Sequence, residues 1–324
     1  MIRFLAALAL LAGATVPLRA EVLTITTPGP VSSLAQDGDG IRVELRGEAL
    51  RLVTCPATIF CLEPLSVQSE PSRPQGIVPD GKVAVARNGK GGIARAWYAG
   101  ATERYPHGAL GDRIEAESLV VETGDGRRLS LDLPQTHVFE DLTPRIADLD
   151  GDGTAEIVTI RSGLETGAAI AIYGVRAGKL MELAVAGEIG TPNRWLNIAG
   201  ILPTDPSAPD GAKTIHAVRT PHLGGVLFTV TYDGARALLT DAVATDLTNH
   251  VYGSREQGLS FAGRLRPELA PNLVIPSQDR RRLRFVLTNH ADLRLPGAID
   301  KAILALDGWL VTATENGRLI AVRH

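Results

Sequence analysis

The segment Asp148-Leu149-Asp150-Gly151-Asp152-Gly153-Thr154-Ala155-Glu156 brings four carboxylates together in one short stretch. Side chains so close would repel one another without a counter-charge. Calcium is a hard cation that takes six to eight oxygens at about 2.3–2.6 Å. Alternating Asp148, Asp150 and Asp152 can turn three carboxylates into one cavity, Gly151 and Gly153 permit the sharp bend, the Thr154 carbonyl can add an oxygen, and Glu156 can close the set. The expectation is one structural Ca2+, held by Asp148, Asp150, Asp152, Thr154 and Glu156. An EF-hand is excluded, because its closing Glu falls at loop position 12, which here is Thr159, and because helices flank it. The plain alternative is a solvated acidic hairpin.

Loops need elements to hold them. The chain shows short alternating or apolar runs broken by Gly and Pro, such as Val22–Thr26, Ile41–Leu45, Leu119–Glu122, Glu156–Ile160, Val226–Tyr232 and Trp309–Thr314. Asp-Gly and Asn-Gly pairs between such runs, at 37–40, 233–234, 307–308 and 316–317, are hairpin turns, since their residues accept positive φ at little cost. Many short strands with regular turn signals read as an all-β fold. Three segments repeat: Arg145–Ile160, Asn197–Val218 and Ser260–Pro276, each a strand, a loop and a second strand. Their anchors Ile146, Ile198 and Phe261 lie at spacings that suit four-stranded propeller blades with variable loops. At about 45 residues per blade the chain reads as a β-propeller of seven four-stranded blades. The run Ala302–Val322 is expected to share its blade with Val22–Thr26, which would close the ring and cover strand edges.

Residues 145–173, and more weakly 194–232 and 258–287, resemble the FG-GAP/VCBS repeat family, also found in integrin α-chain propellers. That family places a D-x-D-x-D-G-x-x-[D/E] loop between the inner strands of a blade. The resemblance implies a bacterial-type exported propeller, repeats clearest at 141–185 and degenerate at 194–240 and 258–295, and a binding or scaffold role. The later copies depart from the pattern. Thr204–Gly211 keeps two aspartates without their alternation, and Arg264 and Arg266 stand where carboxylates belong. One calcium is therefore expected, not three.

Arg3, an apolar run from Phe4 to Val16 and Leu18-Arg19-Ala20 read as a secretory signal peptide over 1–20. This leaves a single domain over 21–324, placed in the periplasm or outside the cell. No later run is long and apolar enough for a spanning helix. Without Arg3 and Arg19, 31 basic side chains face 36 acidic ones, which argues against a nucleic-acid partner. The two cysteines, Cys55 and Cys61, are expected to form a local disulfide.

Strand parity places a second set of residues. Antiparallel strands reverse at each turn, so turns between second and third strands, and between blades, fall on the face away from the calcium loop. Those turns hold His107, His137, Arg194, Trp195, His222, His250 and Arg255. They suggest a shallow site for an anion, sugar or peptide near the channel mouth. The partner, a protein, a glycan or a small molecule, is not specified by sequence. An exported hydrolase using this histidine-rich face is the second reading; side chains that merely bond loop carbonyls are the third. No G-x-S-x-G elbow, phosphate loop or dinucleotide fingerprint is present, and no catalytic residue is assigned. The basic run Arg280–Arg284 reads as a solvated turn and strand.

Overall fold

The computed structural model describes residues 20–65, 72–86, 92–288 and 290–323; the expected signal peptide lies almost wholly outside them. Among the described residues the regular elements are strands alone. β1 (Glu21–Ile25) is followed by the meander β2 (Val31–Asp37), β3 (Gly40–Leu45), β4 (Ala49–Cys55) and β5 (Ile59–Pro64). A second meander comprises β6 (Ala84–Val85), β7 (Ile93–Thr102), β8 (Glu115–Thr123) and β9 (Arg128–Asp132). After β10 (His137–Phe139) comes β11 (Arg145–Ala147), β12 (Glu156–Gly163), β13 (Gly167–Arg176) and β14 (Lys179–Val185). The fourth unit is β15 (Leu196–Pro203), β16 (Lys213–Arg219), β17 (Gly225–Tyr232) and β18 (Ala237–Leu247). The fifth is β19 (Phe261–Gly263), β20 (Asn272–Pro276), β21 (Arg282–Phe285) and β22 (Leu293–Arg294). The last holds β23 (Leu304–Leu306), β24 (Trp309–Ala313) and β25 (Leu319–Arg323), with β1 as its fourth strand.

This is a β-propeller. β1 pairs antiparallel with β25 from Glu21↔Arg323 to Ile25↔Leu319, so the two ends of the chain share one blade, as the sequence suggests. The pairing covers an edge that would otherwise present free N–H and C=O groups. The described residues form six four-stranded units, where seven were expected. The difference lies in the connections. The described stretches 72–83 and 248–260 lie between blades without a strand of their own, giving roughly 50 residues per unit in place of ~45. The segment 135–141 between two blades also carries β10, which pairs with both β8 and β12 and welds two blades into one sheet.

The blade of β11–β14 is buried on both faces, so its middle strands read as continuous apolar runs rather than alternating ones. Glu156–Ile160 of β12 and Gly167–Gly174 of β13 are buried throughout. Their side chains join one blade to the next. Ile160, Ile170 and Ile172 pack with Ile215, Phe228 and Val230, and Ile157 and Tyr173 pack on the other side with Tyr98 and Leu119. Ile41 and Leu52 meet Trp309 and Val311, and Val274 and Leu283 meet Leu310 and Ile320. Asp307 and Gly308 both have positive φ (46° and 83°) in the β23–β24 turn, the conformation its Asp-Gly pair favours. The Cys55–Cys61 disulfide is present at the β4–β5 turn. Three arginines of the 280–284 run pair with neighbours: Arg280 with Glu315, Arg282 with Asp246, and Arg284 with Asp292.

Candidate functional site

Two groups of polar side chains stand at opposite ends of the strands. On the β11–β12 turn, oxygens of Asp148, Asp150 and Glu156 all lie within 4.8 Å of one another. Ligands on opposite sides of a calcium ion would be about 4.6–5.2 Å apart, twice the usual bond length. The donor set therefore fits a hard divalent cation. Gly151 and Gly153 have positive φ (79° and 86°), the turn expected of them. Both Asp148 carboxylate oxygens accept backbone N–H groups, from Gly151 (2.8 Å) and Gly153 (2.9 Å). Glu156 is fully buried and accepts from the Leu149 N–H (3.0 Å) and from Arg176 (2.9 Å). Burial, then the backbone bond and Arg176 working against it, leaves its pKa raised. Asp152 stands outside this trio: its carboxylate accepts the Thr154 N–H at 2.6 Å.

The other face carries a cavity of about 550 Å3, whose lining includes Pro106, His107, Arg194, Trp195, His222 and Tyr252, with Asn193, Thr220 and Leu223. His107 comes from the β7–β8 connection and His222 from the β16–β17 turn. Asn193, Arg194 and Trp195 come from the β14–β15 connection, and Tyr252 from β18–β19. These are second-to-third-strand turns and blade-to-blade connections, the set that strand parity assigns to one face.

His107 Nδ1 sits 2.5 Å from Glu140 Oε1. Glu140 is fully buried, accepts the Ser162 hydroxyl at 2.5 Å and lends its carbonyl to Trp195 Nε1 at 2.9 Å. Burial raises the Glu140 pKa, and the bond to His107 opposes that rise. With Nδ1 taken by Glu140, the atom His107 can offer to the cavity is Nε2. The Tyr252 hydroxyl donates to the His107 carbonyl (2.8 Å) and fixes the loop from outside.

His222 is held by a relay. The Ser254 carbonyl can only accept, so His250 Nε2 donates to it at 2.9 Å. A neutral His250 then has Nδ1 as acceptor, and His222 Nε2 donates to it at 2.8 Å. His222 Nδ1 is left as a lone pair. Burial lowers His222 to about 4 and His250 to about 3, so both rings stay neutral over the physiological range. Trp195 stacks on His222 (5.9 Å, 11°) and meets His250 edge-on (4.6 Å). Tyr252 stands at right angles to His222 (5.3 Å).

These two histidines have folded pKa values below the 6.5 of an unfolded chain. The unfolded state therefore binds more protons as pH falls, and the stability they contribute is present above 6.5 and lost toward about 4 and 3. At pH 5, nitrogen-15 NMR of the rings is expected to show His222 and His250 neutral with the proton on Nε2. A doubly protonated His250 at that pH, or a His222 protonated on Nδ1, contradicts the relay.

Of the sequence-predicted face, the cavity takes His107, Arg194, Trp195 and His222 directly and His250 behind them. It does not take His137 or Arg255. His137 bonds Thr136 (2.8 Å) and Glu188 (3.3 Å), and Arg255 bridges Asp80 (2.6 Å) and Asp112 (2.8 Å), tying two connections together. Glu140 and Tyr252 were missed. Glu140 lies in Val138–Leu142, where it reads as an acid at a strand end. A second buried acid, Glu115, is 3% exposed; burial first, then the charges of Glu140, Asp112 and Asp141, push its pKa well up.

No family model matches the chain, and no curated protein matches it. Among solved structures, it is similar to a candidate gluconolactonase, at 10% identity and TM-score 0.42 over 95% of this chain and 93% of that one. It is also similar to the N-terminal domain of Nup159, at 10% identity and TM-score 0.33 over 91% of this chain and 76% of that one. Likenesses at that level bring no function with them, and the propeller architecture stands on its own strand pairings. Among the described residues no helix is long and apolar enough to cross a membrane.

Proposed function

We propose that this propeller is an exported binding module whose ligand is a small anion with an apolar or ring-shaped body. The observation that carries this reading is the composition of the 550 Å3 cavity. Its walls are aromatic and imidazole rings, and its one cationic side chain, Arg194, is exposed and bonds only the neighbouring Asn193 carbonyl (3.3 Å) among the described residues. The cavity's carboxylate neighbour, Glu140, is fully buried and already bonded to His107 and Ser162. A carboxylate on the ligand supplies the partner that Arg194 lacks, and the lone pairs of the two histidines accept from ligand hydroxyls.

The FG-GAP/VCBS resemblance, the acidic trio and the disulfide support the rest of the proposal. The β11–β12 turn binds one structural Ca2+ through Asp148, Asp150 and Glu156, and the chain works in an oxidising compartment outside the cytoplasm. The ion would hold the turn; nothing in that trio faces the cavity.

Benzoate, a ring with one carboxylate, serves as the probe. Calorimetric titration is expected to show binding to the full chain and a loss of about 10-fold or more in affinity for Arg194→Ala, the range of a charged hydrogen bond. Equal affinity in the two proteins would remove Arg194 from the site, and no binding to either would remove the anion reading.

A further inference from the structure

We propose that the cavity hydrolyses carboxylic esters, with His107 Nε2 as the general base that activates water; this rests on the cavity being a ligand site. The His107 ring is oriented by a fully buried carboxylate at 2.5 Å, on the edge away from the atom it can offer to a ligand. Such a carboxylate fixes the tautomer and stabilises the imidazolium that forms when the ring takes a proton. The Glu140 carboxylate is itself held by Ser162. The Glu140 carbonyl anchors Trp195, so the dyad and the cavity wall are positioned by one residue. This construction suits proton transfer at Nε2.

The nucleophile is water. The hydroxyl nearest the dyad, that of Ser162, is fully buried and donates to Glu140 on the side away from His107 Nε2. The electrophile is a carbonyl rather than a phosphoryl group. Phosphoryl transfer calls for several cations around the equatorial oxygens, and this cavity offers Arg194 alone. In the step, water oxygen bonds the ester carbon, its proton passes to His107 Nε2, and the carbonyl electron pair moves onto oxygen beside Arg194. Collapse breaks the bond to the alkoxide, which takes the proton from Nε2 and leaves as an alcohol. The acid product loses its own proton to solvent. His222 Nδ1, neutral and held by the His250 relay, accepts from a hydroxyl of substrate or water and orients it. Glu140 acts through His107 and is a positioning residue.

The test is hydrolysis of 4-nitrophenyl acetate by the full chain. The native protein is expected to exceed buffer alone, and His107→Gln to lose about 100-fold of that excess, within the range of general-base catalysis. Glu140→Gln is expected to lose at least about 10-fold and to move the acidic limb of the pH profile downward, a shift that a purely structural role would not produce. Near-UV circular dichroism checks folding, and His107→Asn, which keeps a donor toward Glu140, replaces His107→Gln if that variant fails it. Turnover no faster than buffer, or a folded His107 variant as fast as the native chain, overturns the proposal. Benzoate binding without turnover overturns hydrolysis alone; absence of both overturns the ligand site as well.

Discussion

Trp195→Ala is expected to destabilise the protein by about 3–5 kcal/mol, the cost of emptying an aromatic site in a well-packed interior. Trp195 is 2% exposed and lies in the cluster that joins the third and fourth blades, with Leu196, Ile198 and Phe228. Truncation also leaves the Glu140 carbonyl, buried in the native protein, without its 2.9 Å donor. The same change takes away the ring on which His222 stacks and which His250 meets at 4.6 Å. Two losses should therefore appear together: a lower midpoint in urea with the slope unchanged, and benzoate affinity weakened well beyond the effect of Arg194→Ala. Trp195→Phe, which keeps the wall but not the N–H, should recover part of the stability. A change below about 1 kcal/mol for the alanine variant would mean that the indole is not the joint described here.

Calcium is expected to have the next largest effect. A ligand that binds only the folded state at 100 times its dissociation constant adds about 2.7 kcal/mol. At about 2.1 cal/mol/K per residue over some 300 residues, that corresponds to roughly 4 °C in melting temperature. Chelation should reverse it. Asp150→Asn should abolish the response while leaving the turn folded, since Asp150 is only partly buried and makes a single weak backbone contact, to the Asp152 N–H at 3.3 Å. Glu156 is different: it is fully buried and bonded to Leu149 and Arg176, so its replacement costs stability with or without the ion. A melting temperature indifferent to millimolar Ca2+ would leave Arg176 as the sole counter-charge of Glu156 and remove the metal from the β11–β12 turn.

Much of the architecture was legible because it is written in local chemistry. Asp307-Gly308 marks a turn that two strands must follow, and Val22–Thr26 and Ala302–Val322 are the unpaired ends a ring would join. Strand parity then sorts the turns by face before any contact is known, and the structure brings His107, Arg194, Trp195 and His222 to one cavity with His250 behind them. Parity gives a face, but not a position on it. His137 and Arg255 share the face and are drawn away by Glu188, Asp80 and Asp112, acids that belong to other connections. Blade number escaped for a related reason: no turn signal distinguishes a long connection from a weak blade, and β10, three residues long, has no pattern of its own. Glu140 was hidden most completely. An acid after Val138-Phe139 reads as a strand end, and only the fold shows that its carboxylate, fully buried, faces a histidine from a loop 33 residues earlier.

The most direct measurement is a crystal structure of the full chain soaked with benzoate. The account predicts its carboxylate on the Arg194 guanidinium and its ring against Tyr252 and His222, with His107 still bonded to Glu140. Benzoate absent from this cavity while bound elsewhere, or a cavity filled by a rearranged Tyr252 loop, would contradict it.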